Sequence, residues 1–298
     1  MQHDVKQQVP LLGHVVPEIE FSNNLRRPDL TSQKLSSSSN SMAIQTYKLY
    51  HYQYSICSIM VRYCIAIRGK PKDETLAIEF SEHEMDITSK LEQLSEEYLC
   101  YVNPKGQVPA LTSPSLPEPI YDSVKITHHL ARLFPSLMPP SHTGIISSLL
   151  ERLHSINFFT LTFTGRSGVA NIIEEKILRL IDSDISPQYQ KALQYKLEIQ
   201  RKEKINCVGL DDLEEMTKRT VSILEMCSEH LVEGEKWLFG LETPTALDAH
   251  LVTFIARLKD IDKGDLVPQS LLTYAAAAQK MAEWKNVVQG GTNPEIRK

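Results

Sequence analysis

The 298-residue sequence predicts an α/β domain followed by an all-α domain. Three observations carry that prediction. β-Prone and helical segments alternate between Thr46 and Leu133, and no convincing strand pattern follows. Between the two regions, Pro135, Pro139 and Pro140 break any continuous element.

The elements follow in chain order. Residues 1–44 hold scattered prolines and a serine run from Ser36 to Ser39 without an apolar period, so they read as a disordered tail. Order begins near Thr46, and Tyr47 to Tyr52 form an aromatic-rich strand. A helix spans about Cys57 to Arg68, with Val61, Cys64, Ile65 and Arg68 on one face and Gly69 as its stop. Leu76 to Phe80 form a second strand, and a charged helix covers Thr88 to Tyr98. Asn103 to Gly106 make a turn into a short strand at Val108 to Leu111, and Ile120-Tyr121 form a last strand. Asp122-Ser123 then start a helix that runs through Leu133.

The resulting division is a tail at 1–44, an α/β domain at 45–135, a linker at 136–144, a helical domain at 145–290 and a tail at 291–298. Helix starts in the second domain include Ser186-Pro187 and Thr245. The stretch 165–209 is long and charged, and its arrangement is the least defined by pattern.

Bulk chemistry excludes several function classes. The net charge of -5 is mild and dispersed, which offers no footprint for nucleic acid or for an anionic membrane surface. Five cysteines, Cys57, Cys64, Cys100, Cys207 and Cys227, have neither disulfide-framework nor zinc spacing, so no metal is expected. No apolar run approaches the roughly 18 residues of a membrane span. The N-terminus lacks the pattern of a secretory signal, and cytoplasm is the expected location.

Three local motifs carry chemistry. In Asn103-Pro-Lys-Gly-Gln-Val-Pro-Ala-Leu111, Pro109 cannot donate to a strand ladder. A cis Val108–Pro109 bond would leave the Val108 N–H and C=O free for an extended peptide ligand, whereas an ordinary proline loop would not. Asp122-Ser123 at a helix start is either a simple cap or a site for a carboxylate and an ammonium group. Ser55-Ile-Cys57-Ser58 joins the first strand to the first helix, where a hydroxyl or thiol can hydrogen-bond a ligand thiolate.

Together, in this order, the three motifs resemble the N-terminal thioredoxin-like domain of glutathione S-transferases. The resemblance implies that Val108 and Pro109 pair with the glutathione backbone and that Asp122 and Ser123 hold its γ-glutamyl end. Ser55 or Cys57 would activate the thiol. Leu49 to Gly69 is similar to the zeta class, whose Ser-Ser-Cys motif precedes Arg-Val-Arg; here Ile56 and Met60 replace the middle serine and first arginine. Gln107 fits the zeta-like Gln-Val-Pro and joins the glutathione-binding set.

In the second region, Trp237 to His250 resembles the family's C-terminal signature, with Thr245 and Asp248 at capping-box spacing and a structural role. Phe158, Phe159 and Phe163, on the first long helix, are candidates for the second-substrate pocket. The segment Ile185 to Lys196 looks like fungal transferase-like proteins that tailor secondary metabolites.

The resemblance implies a homodimer that takes glutathione and a hydrophobic electrophile and joins them through sulfur. Two enzymatic alternatives share the site: a glutathione-dependent cis–trans isomerase, and a thiol-disulfide reductase working through Cys57. A non-catalytic regulator or scaffold is the reading from another class.

Overall fold

β-Branched and aromatic residues in alternation build the first strand, β1 (Ala43–His51), which begins three residues before Thr46 and claims Ala43 and Ile44 from the expected tail. The computed structural model describes residues 43–165 and 168–292, so the rest of both expected tails lies outside the described residues. Helix α1 (Ile56–Ile67) follows, and β2 (Leu76–Glu84) returns parallel to β1, with Ala43 opposite Leu76 and His51 opposite Glu84. β2 runs four residues past the expected Phe80 because β1 supplies ladder partners along its whole length.

The expected helix at Thr88 to Tyr98 forms only in part. The Asp86 carboxylate accepts from the Ser89 N–H at 2.7 Å and the Thr88 N–H at 3.1 Å, a local turn that competes with helix. Leu91 sits at φ +55°, and α2 (Glu96–Tyr101) begins only after Ser95, whose side chain caps it. β3 (Ala110–Thr112) pairs antiparallel to β1 on the side opposite β2. The fourth strand expected at Ile120-Tyr121 shrinks to one bridge, Leu111 to Ile120. Asp122 immediately caps the next helix, α3 (Ser123–Leu133), which leaves no length for a ladder.

Everything described beyond α3 is helix, turn or loop. α4 (Thr143–His154) and α5 (Phe158–Phe163) divide the expected first long helix, because Asn157 caps a new start. There follow α6 (Gly168–Ile181), α7 (Pro187–Gln200), α8 (Leu210–Ser228), α9 (Ala246–Asp260), α10 (Gln269–Ala278) and α11 (Ala282–Val287). A π-helical turn, Arg201–Ile205, extends α7.

α9 is buried at every position from Ala246 to Leu258, as its nearly all-round apolar sequence requires. Its start is the expected capping box: Asp248 accepts from the Thr245 N–H at 2.7 Å and from the Tyr274 hydroxyl at 2.6 Å. α1 packs along α9, and one apolar cluster runs from Tyr47 in β1 to Val287 in α11. The helix starts at the C-terminal end of the sheet are thereby held rigidly against the helical layer.

Candidate functional site

Ser55 stops the first strand's pattern and caps α1, accepting from the Ser58 N–H at 3.4 Å. Its oxygen is the acceptor in that bond, which does not use the hydroxyl hydrogen. Cys57 lies in the first turn of α1, half-buried by area yet ringed by protein. Burial pushes its thiol pKa up; the Ser123 hydroxyl, Lys204 and Arg257 oppose that rise, and Asp122 adds to it. The balance keeps Cys57 protonated and a weak nucleophile. The Cys57–Ser123 contact brings the N-termini of α1 and α3 together, and the charges of Asp122 and Lys204 are felt at the thiol.

Asp122 caps α3 by accepting from the Lys125 N–H at 2.9 Å, a bond worth about 1 kcal/mol. Ser123 is the first helical residue and is buried; its hydroxyl lies 3.4 Å from Nδ1 of His154. The Ser123 and Val124 N–H groups belong to the unsatisfied first turn, a place for an anion.

The Val108–Pro109 bond is cis. Among the described residues, the Val108 N–H and C=O make no backbone hydrogen bond. The loop before them is tightly held. The Gln107 C=O accepts from the Tyr98 hydroxyl at 2.6 Å and from the amide of fully buried Asn103 at 2.7 Å. Gly106, at φ +55°, is required in that turn, since a Cβ there would come within 3.0 Å of both Leu99 and Lys196.

Sequence reasoning missed the groups that close the site. The π-helical turn after α7 carries Glu203 to the cis-proline loop and Lys204 to Phe159. It is tied down by Asn157, whose amide donates to the Glu203 C=O at 3.0 Å, and by the Thr160 hydroxyl, which donates to the Cys207 C=O at 2.6 Å. Glu203 accepts from the Gln107 side-chain amide at 2.6 Å, so that amide is already occupied. The Lys204 ammonium stands 4.7 Å above the Phe159 ring. Lys196, 3% exposed, has its pKa pushed down to about 7 by burial and by Lys204, with Glu203 opposing. The one available signal was spacing: Lys196 falls on the face of α7 that buries Tyr189, Ala192, Leu193 and Gln200. π-Turns inside helices are frequent at functional sites.

Of the three phenylalanines, Phe158 packs into the core against Phe254, with ring centres 5.5 Å apart. Phe159 and Phe163 pair at 4.6 Å, and only Phe159 also meets Lys204.

A small mixed sheet, a cis-proline edge and two helix N-termini beside a helical layer invite comparison with solved structures. Glutathione S-transferase III in its apo form aligns with TM-score 0.52 and 16% identity, over 84% of this chain and 98% of its own. Glutathione transferase F2 from Populus trichocarpa gives TM-score 0.52 and 16% identity, over 81% and 96%. A glutathione transferase homolog from Sulfitobacter, solved with bound glutathione, gives TM-score 0.50 and 17% identity, over 81% and 96%. This chain has the glutathione S-transferase fold. No family model matches the sequence, and no curated protein matches it significantly. In this chain the π-helical turn brings the Glu203 carboxylate to Gln107, the residue before Val108. Among the described residues, no helix is long and apolar enough to cross a membrane.

Proposed function

We propose that the chain is a glutathione S-transferase that activates the thiol of bound glutathione for attack on a hydrophobic electrophile. The observation that carries this reading is the convergence of Cys57, Asp122 and Ser123 where α1 and α3 begin, with the cis Val108–Pro109 edge as a third element of the same fold. In this reading the Val108 N–H and C=O pair with the cysteinyl backbone. The γ-glutamyl carboxylate takes the free N–H groups at the start of α3, and its ammonium meets Asp122. The sulfur then lies at the start of α1.

Ser55 is the group that donates to the thiolate. Its oxygen is engaged as a cap acceptor, which leaves its hydrogen for the sulfur, and the α1 dipole adds favourable potential. Cys57, held protonated, neither forms a mixed disulfide readily nor competes for the electrophile. The thiolate forms the new S–C bond, and the leaving group departs with its electron pair. Phe159 and Lys204 line the approach of the electrophile. Holding both reactants together supplies much of the acceleration. A homodimer and a secondary-metabolite electrophile belong to this reading on the strength of the sequence resemblance alone.

The test is the ionisation of bound glutathione, followed by thiolate ultraviolet absorbance as pH is raised. The bound thiol should ionise below the free one, and Ser55→Ala should return it toward the free value. Identical curves for free and bound glutathione would refute thiol activation.

A further inference from the structure

The peptide bond that delivers Ser55 to the start of α1 is held at both ends. The Ser55 N–H donates to the Tyr52 C=O at 3.0 Å, and the Tyr54 C=O accepts from Nη2 of Arg257 in α9 at 2.6 Å. The Arg257 guanidinium is seated in turn by Thr292, which follows α11 and is buried. The Thr292 C=O accepts from Nη2 at 2.9 Å and its hydroxyl oxygen accepts from Nε at 3.1 Å. The hydroxyl hydrogen and the backbone N–H of Thr292 both go to one oxygen of Asp260, at 2.6 and 2.7 Å. Asp260 thus orders Thr292, Thr292 orders the guanidinium, and the guanidinium orders the Tyr54–Ser55 peptide.

Arg257 also carries a charge. Burial pushes its pKa down to about 10, with Asp260 and Cys57 opposing, so it is a cation near pH 7. Three charges are felt at Cys57 in the first turn of α1: Lys204 and Arg257 favour a thiolate there, and Asp122 disfavours it. Of the three, Arg257 also holds the backbone that carries Ser55. A planar guanidinium can do both, because its fixed fork donates in several directions while the charge stays on. In a water-poor interior that charge reaches further than it would in solvent.

We propose that Arg257 is a positioning residue for thiol activation: seated by Thr292, it fixes the peptide bond that presents the Ser55 hydroxyl and places a positive charge near the start of α1. It acts through Ser55 and through its field, without touching the ligand. The part in activation rests on the proposed glutathione reading; the hold on Ser55 does not.

Two measurements on the full chain test it. The first needs no ligand and follows amide hydrogen exchange at Ser55 by NMR. Thr292→Val keeps the backbone of Thr292 but removes the hydroxyl that accepts from Nε and donates to Asp260. Exchange at Ser55 should quicken roughly tenfold in Thr292→Val and in Arg257→Gln, while amides in the middle of β1 keep their rates. Unchanged exchange at Ser55 in both variants would overturn the hold. The second is the ionisation of bound glutathione, read by thiolate absorbance. Arg257→Gln should raise the pKa of the bound thiol by about one unit toward the free value, and Arg257→Lys, which keeps the charge, should recover part of that shift. A merely structural pin would change stability and leave this curve in place. A folded Arg257→Gln whose curve overlays wild type would overturn the part in activation. If that variant does not fold, a Thr292→Val curve that overlays wild type decides the same way. Identical curves for free and bound glutathione in wild type would remove the glutathione reading and the activation role together, while the exchange result still decides the hold on Ser55.

Discussion

His154 in α4 and His250 in α9 meet with Nε2 of the first 2.8 Å from Nδ1 of the second, although 96 residues separate them. The pair ties the helical layer to the start of α3, because each ring passes its other nitrogen to a hydroxyl of that helix.

The Thr127 hydroxyl gives its hydrogen to the Ser123 C=O and so accepts from His250 Nε2. Thr127→Val keeps the side-chain volume but leaves that N–H buried with no acceptor. Stability should fall by about 1–3 kcal/mol. Thr127→Ser should recover most of the loss. Urea unfolding checks this, and a Thr127→Val midpoint equal to wild type would show that this bond is not formed.

Acid should weaken the fold before the carboxylates titrate. Burial lowers the pKa of His154, and that of His51 in β1, from 6.5 to about 4. Between those limits the unfolded chain binds protons that the folded chain refuses. Stability is thus complete above pH 6.5 and falls as pH drops toward 4, by up to roughly 3 kcal/mol for each of these two rings, and His250, held lower still, extends the fall. Urea unfolding at pH 7.5 and at about pH 5 reads this slope. His154→Phe should flatten part of it, and an unchanged slope would mean that the folded chain protonates this ring freely.

Ser55 and Cys57 are separable by substitution. Ser55→Ala removes the donor to the sulfur and should lower kcat for conjugation roughly a hundredfold. Cys57→Ser should leave kcat within a few-fold, since burial keeps that thiol protonated. Steady-state kinetics with a chloronitroarene distinguishes the two, and the reverse ranking would move the chemistry to Cys57.

Glu203 competes for a ligand-binding group. It holds the Gln107 amide at 2.6 Å and brings a carboxylate beside the place assigned to a peptide with two carboxylates of its own. Glu203→Ala should tighten glutathione binding several-fold. It should also lower the pKa of Lys196 further, because Glu203 is the charge that supports its protonation. Weaker binding in this variant would make Glu203 a ligand contact instead of a competitor.

What the sequence disclosed was what short segments determine on their own. Asp122 and Ser123 announce a helix start because a cap needs only the next three residues, and Thr245 with Asp248 does the same for α9. The succession of the first three strands along the chain and the Gly106 turn were legible for a similar reason. Elements whose fate depends on a distant partner were not. β2 grew because β1 accompanied it, and Ile120-Tyr121 failed as a strand because a helix cap intervened. Lys204 and Glu203 are held where they are because Asn157 and Thr160, at the start of α5, pin the π-turn and its exit from 46 and 47 residues away in sequence. His250 stood in plain sight, a polar ring amid the apolar residues of α9. Nothing local identified His154 as its partner.

The central claim is that this fold holds glutathione where α1 and α3 begin, and calorimetric titration of the full chain with reduced glutathione tests it most directly. The account predicts saturable binding in the micromolar to low-millimolar range, roughly -4 to -8 kcal/mol, weakened in Ser123→Ala. No detectable heat with folded wild-type protein, or binding that Ser123→Ala leaves untouched, would contradict it.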